Sequence, residues 1–151
     1  MRMTEVSMDV ATSASQIFAV LADGWSYAGW VVGASHIREA DNDWPAVGSR
    51  IHHSVGAWPA QISDVTTVRD VDPPFALELD ARLWPFGTAR VRFELTEAVP
   101  GTTRVTMEEV VERGPLALFP DALQSVLLMP RNKETLRRLA DLAVRKEARQ
   151  R

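Results

Sequence analysis

The sequence contains no cysteine. That excludes a disulfide framework, a thiolate nucleophile and any cysteine-ligated metal. No apolar run reaches the roughly 20 residues that a bilayer-crossing helix needs. The N-terminal Met1-Arg2-Met3-Thr4-Glu5 leads directly into an alternating pattern, without the apolar stretch of a signal peptide. These features predict a cytoplasmic protein with no membrane span. Positive charge is also scarce: 17 Lys and Arg against 20 Asp and Glu leave a formal charge of −3. Such a chain is a poor match for a phosphate backbone, so no nucleic-acid partner is expected. Nucleophile-elbow, phosphate-loop and dinucleotide motifs are missing, and no cofactor is called for. Repeats, low-complexity stretches and linkers are missing too. One domain over 1–151 is therefore expected, as a monomer or a homodimer.

Hydrophobic residues make up 46% of the chain and charged residues 25%, enough to build one buried core. Thr4 to Val10 alternates, with Val6, Met8 and Val10 on one face, which predicts a first strand. Thr12 or Ser13 can cap the helix that carries Ile17, Phe18, Val20 and Leu21. Asp23-Gly24 ends that helix, and a short second one follows before Gly33. Strand-like runs then cover 35–40, 50–55, 61–71, 75–83, 89–95 and 102–111, separated by turn chemistry such as Asp72-Pro73-Pro74 and Pro100-Gly101. Short turns between consecutive strands predict an antiparallel meander. From Leu116 the pattern is helical. Pro130 should kink that helix or split it. Only this last helix is long enough to cover the apolar face of the sheet. A strongly curved sheet around one helix leaves space between them, a small-molecule pocket by geometry.

Seven segments, in this order, resemble the START/Bet v 1-like (SRPBCC) superfamily, in its polyketide cyclase/dehydrase-like group. They are the first strand with Ala14-Ser15-Gln16-Ile17-Phe18-Ala19-Val20-Leu21, Gly29-Trp30-Val31-Val32-Gly33, 48–56, Val71-Asp72-Pro73-Pro74, Pro85-Phe86-Gly87, 101–107 and 131–139. The resemblance implies an α+β helix-grip fold: a curved antiparallel β-sheet of about seven strands wrapped around a long C-terminal helix, with two short helices after strand 1. It also implies a small hydrophobic partner molecule such as a lipid, isoprenoid or polyketide. Pro130 departs from the family pattern.

Strand parity sorts the candidate site residues. Phe75, Leu77, Leu79, Val91, Phe93, Val105 and Met107 fall on the concave face, opposite Leu123, Val126 and Leu127 of the helix. His53 shares parity with Ile51 and Val55 and should point inward, while His52 points outward. Adjacent strand histidines cannot chelate one ion, and His36 is distant, so no metal site is expected. Inside a cavity, His53 can hydrogen-bond a carbonyl or move a proton near neutral pH, or it is a core histidine satisfied by a neighbour. Glu109 shares the inner face with Val105, Met107 and Val111. It is either a ligand anchor or acid/base group, or a strand-end residue at the rim, or one that a bulge turns outward. Asp64 shares parity with Ile62 and Val68, which points it inward unless a bulge reverses the phase. Trp30 and Trp58 flank the mouth and either contact a planar ligand or pack as a lid. Asn132 contacts a ligand or caps the helix segment after Pro130.

Two functions compete at this level. The first is binding or transport of a hydrophobic ligand. The second is a cyclase, aromatase or dehydrase with His53 and Glu109 as catalytic candidates. The basic tail, Arg137, Arg138, Arg145, Lys146, Arg149 and Arg151, reads as a solvated helix face whose cations oppose the dipole, or as an interaction surface for a protein partner.

Overall fold

A computed structural model describes residues 3–32, 34–55, 62–83 and 87–151. Seven strands form one antiparallel sheet: β1 (Thr4–Val10), β2 (Ala34–Ala40), β3 (Arg50–Val55), β4 (Ile62–Asp72), β5 (Ala76–Leu83), β6 (Gly87–Val99) and β7 (Thr102–Arg113). Their spatial order is β1-β7-β6-β5-β4-β3-β2. Consecutive strands from β2 to β7 are therefore neighbours, as short turns require, and β1 closes onto the free edge of β7. Helices α1 (Ala14–Leu21) and α2 (Tyr27–Trp30) follow β1, with a single 3-10 turn between them. Ser13 caps α1 by accepting the Gln16 N–H at 3.2 Å. A second 3-10 turn, Pro115–Leu118, leads into α3 (Asp121–Arg149). Pro130 lies inside α3 and does not split it.

Turn chemistry sets the strand limits. Gly101 turns β6 into β7 at φ +82°, in the left-handed region that favours glycine. Gly87 opens β6 at φ +134°, where a Cβ would fall 1.7 Å from the Arg113 carbonyl oxygen, so no other residue fits. β5 begins at Ala76, not Phe75. Phe75 belongs to the turn after Asp72 and is 53% exposed, which removes it from the cavity wall expected of it.

The core lies between the concave face of the sheet and one stripe of α3. Ile17, Phe18 and Leu21 of α1 fill one end, with Leu77, Phe93, Val105 and Met107 from the sheet. The buried stripe of α3 is Gln124, Leu128, Asn132, Thr135, Leu136, Leu139 and Ala143, spaced by three or four. Leu123, Val126 and Leu127 lie off this stripe, at 43%, 68% and 50% exposure. Their expected place on the cavity wall is thus wrong: stepping back from Leu139 in helical intervals lands on Leu128 and Gln124. The outer face of the sheet carries exposed ion pairs, among them Arg69 with Asp80 at 3.3 Å and with Glu112 at 3.2 Å.

Candidate functional site

Matching registers align inward residues of neighbouring strands into rows across the sheet. One row runs Val68, Leu79, Val91, Glu109, Thr4 from β4 to β1. Glu109 sits between Val91 and Thr4 in it, and no register shift falls there. The carboxylate is therefore on the inner face, not at a rim or on a bulge, and the residue is 1% exposed. The next row runs Thr66, Ala81, Ala89, Val111. Ala81 in this row leaves space that larger side chains fill in the row beside it.

That space is part of a cavity of about 260 Å³. Its walls come from Leu79 and Ala81 on β5, Val91 and Phe93 on β6, and Met107 and Glu109 on β7. Tyr27 and Trp30 of α2, with Val31 and Val32 after it, close one side. Leu128, Arg131 and Thr135 of α3 and Leu116 close another, and Ala34, His53 and Arg82 complete the lining. Trp30 packs edge-on against both Phe93 and Tyr27, with ring centroids 5.6 and 5.2 Å apart. Leu77 is fully buried in the row it shares with Phe93 and Met107 and does not reach the cavity. Trp58 lies outside the described residues.

The polar groups form two clusters. In the first, Asn132 Nδ2 donates to Glu109 Oε1 at 2.8 Å, and Arg131 Nη1 approaches the same oxygen at 3.4 Å. Arg131 also donates to the Val32 carbonyl at 3.2 Å, while the Thr135 hydroxyl accepts the Val32 N–H at 3.3 Å. These bonds tie the segment after α2 to α3. Asn132 thus reaches Glu109; it is not part of the cavity lining. Glu109 Oε2 has no partner among the described residues.

In the second cluster, His53 Nε2 lies 2.9 Å from the Thr66 hydroxyl, and the Tyr27 hydroxyl lies 3.0 Å from that same oxygen. His53 Nδ1 has no partner among the described residues. Burial pushes the His53 imidazole below its ordinary range; nearby Asp64 opposes this, and Arg38 and His52 reinforce it. Burial likewise pushes the Tyr27 phenol up, against the Thr66 hydrogen bond. Asp64 faces inward opposite His53, 3% exposed, with Arg82 Nε at 3.3 Å. The β4 bulge falls later, between Val68 and Asp70, and so does not reverse Asp64.

Parity thus brings His53, Glu109, Leu79, Val91, Phe93 and Met107 to one cavity, and Trp30, expected at its mouth, also lines it. It misses Tyr27, Arg131 and Thr135. A signal for the last two exists: Leu128, Asn132, Thr135 and Leu139 are helically spaced, and Arg131 borders that stripe. Among the described residues, no three His, Asp or Glu side chains converge as a metal site would require. Nor is any described helix long and apolar enough to cross a membrane.

The sequence profile of the polyketide cyclase / dehydrase and lipid transport family matches residues 1–144. The chain belongs to this family. Its fold is shared with several solved structures of low sequence identity. A START superfamily protein from Mycobacterium smegmatis is 17% identical with a TM-score of 0.74, covering 95% of this chain and 97% of that one. The Zhui aromatase/cyclase from Streptomyces sp. R1128 is 18% identical with a TM-score of 0.70, covering 96% and 94%. A conserved protein from Geobacillus kaustophilus is 13% identical with a TM-score of 0.71, covering 95% and 96%. At such identities the likeness concerns the fold. No curated protein matches the sequence.

Proposed function

We propose that this family member binds a small, largely apolar molecule in the cavity between the sheet and α3. The observation that carries the reading is the lining: aliphatic and aromatic side chains around two polar clusters, with the ionic groups already paired within the protein. A volume of about 260 Å³ is at the lower edge of the roughly 300–1,000 Å³ usual for small-molecule pockets. That size favours a compact ring compound or one short chain of lipid, isoprenoid or polyketide type over a two-chain lipid. Titrating the protein against a neutral naphthylamine dye, with native mass spectrometry of the purified chain, tests this. Saturable binding of one dye per chain, displaced by apolar ring compounds, is expected. A dye signal that never saturates, with no co-purifying mass, would sink the reading.

A second reading is a cyclase, aromatase or dehydrase with His53 and Glu109 as the acid/base pair. Its support is that both line one cavity and each keeps one polar atom without a partner among the described residues. Turnover of a polyketide-like substrate should then vanish in His53→Ala and Glu109→Gln while binding persists. Full turnover in both variants would remove these residues from the chemistry.

A further inference from the structure

Among the described residues, two buried polar atoms on the cavity lining have no protein partner: His53 Nδ1 and Glu109 Oε2. Unpaired buried polar atoms are rare and call for an explanation. The surrounding bonds decide whether each is a donor or an acceptor.

The Thr66 hydroxyl has one proton, and both Tyr27 and His53 Nε2 are within hydrogen-bond distance of it. Suppose Tyr27 O–H donates to Thr66 and Thr66 O–H donates to Nε2. The imidazole proton is then on Nδ1, and Nδ1–H is the single unpaired group. Suppose instead that Nε2 carries the proton and donates to Thr66. Then either the Tyr27 or the Thr66 O–H lacks an acceptor, and the Nδ1 lone pair is also unpaired. One orphan is better than two in a buried network, so the first arrangement holds. Burial lowers the imidazole pKa and so favours the neutral ring. The Glu109 carboxylate has only lone pairs to offer, and Asn132 and Arg131 occupy Oε1, so Oε2 is an open acceptor.

The charges around the cavity cancel. Arg131 pairs with Glu109 at 3.4 Å and Arg82 with Asp64 at 3.3 Å. An ionic ligand would have to break one of these pairs or lie buried without a counter-charge.

We propose that the polar groups of this cavity form a two-point site for a neutral ligand. His53 Nδ1–H donates to a carbonyl or ether oxygen of the ligand, and Glu109 Oε2 accepts from a hydroxyl on it. Thr66 and Tyr27 are positioning residues that fix the imidazole tautomer. The proposal rests on the ligand-binding reading above and narrows it to hydroxylated, oxygen-bearing ring compounds or chains.

Two measurements test it. Nitrogen-15 spectra of the imidazole in the wild-type protein should show the proton on Nδ1, and an Nε2-protonated ring would overturn the tautomer assignment. Dye displacement should then compare five bicyclic probes: tetralin, tetralone, hydroxytetralin, hydroxytetralone and naphthoate. Each added hydrogen bond should tighten binding by about tenfold, so hydroxytetralone binds most tightly, and naphthoate more weakly than tetralin. Glu109→Gln places an amide N–H where Oε2 was. It should weaken hydroxytetralin by about tenfold and not weaken unsubstituted tetralone. Equal affinity for tetralin and hydroxytetralone would overturn this proposal and leave apolar binding intact. If no probe displaced the dye, the ligand-binding reading would fall as well.

Discussion

His53 sits where a strand residue opposite Asp64 is buried between an aromatic ring and a hydroxyl: the Tyr27 ring centroid is 5.3 Å away and Thr66 Oγ1 2.9 Å. Burial holds its folded pKa below the ordinary value of 6.5. The unfolded chain, by contrast, titrates near that ordinary value. As pH falls below 6.5 the unfolded state takes up a proton that the folded state resists, so folding stability drops with it. The contribution is therefore whole above 6.5 and is lost as pH falls through the lower, folded pKa. Urea midpoints between about pH 7 and about pH 5 should fall more steeply for the wild type than for His53→Gln. Parallel profiles would show that position 53 carries no such linkage. The direction in which His53 points was legible in the sequence, because a period of two is rigid within an unbulged strand. Its partners were not: Thr66 and Tyr27 are 13 and 26 positions away, and only strand register and the placement of α2 bring them together. Glu109 and Asp64 remained two-sided in the sequence because a single bulge can reverse parity. Register settles both inward, since the bulge in β4 falls after Val68 and none falls at Glu109.

The elements themselves were largely readable: seven strands, two short helices and a long one appear where alternation and turn residues placed them. The phase of α3 was not. Between Asp121 and Met129 polarity misleads: the polar Gln124 is buried while the apolar Leu123, Val126 and Leu127 are exposed, so the run does not mark which face turns inward. The amphipathic half after Pro130 carries that information. Because the proline does not split the helix, the phase extends back through it to Asn132, Leu128 and Gln124. The same geometry brings Arg131 and Thr135 to the cavity. The phase makes a pairwise prediction. Leu128 is buried against Val111 and Leu116, so Leu128→Ala should cost about 2–5 kcal/mol. Val126 is exposed, so Val126→Ala should stay within about 0.5 kcal/mol of wild type. Urea unfolding of the two variants measures both. Equal losses would mean that α3 is rotated from the orientation described.

Across the whole molecule, the sheet, α2 and α3 enclose a volume that their side chains do not fill. An empty apolar space of 260 Å³ costs on the order of several kcal/mol of stability. The hollow traces to particular residues. Ala81 on β5 lines it with a single methyl in the row next to Leu79 and Val91. A ligand in the cavity restores those contacts and stabilises the folded state by mass action. Filling the space covalently should separate the two effects. Ala81→Phe directs a ring toward the cavity from a position that already lines it. Its thermal midpoint should stay within a few degrees of wild type, since restored packing offsets overpacking and about 1 kcal/mol shifts Tm by roughly 2–4 °C in a chain of this size. Dye affinity should drop by at least about tenfold, and apolar ring compounds that raise the wild-type midpoint should no longer do so. If the variant folded normally and bound dye as tightly as wild type, the ligand would sit outside this cavity. The hollow row would then be a packing feature of the sheet, with no part in binding.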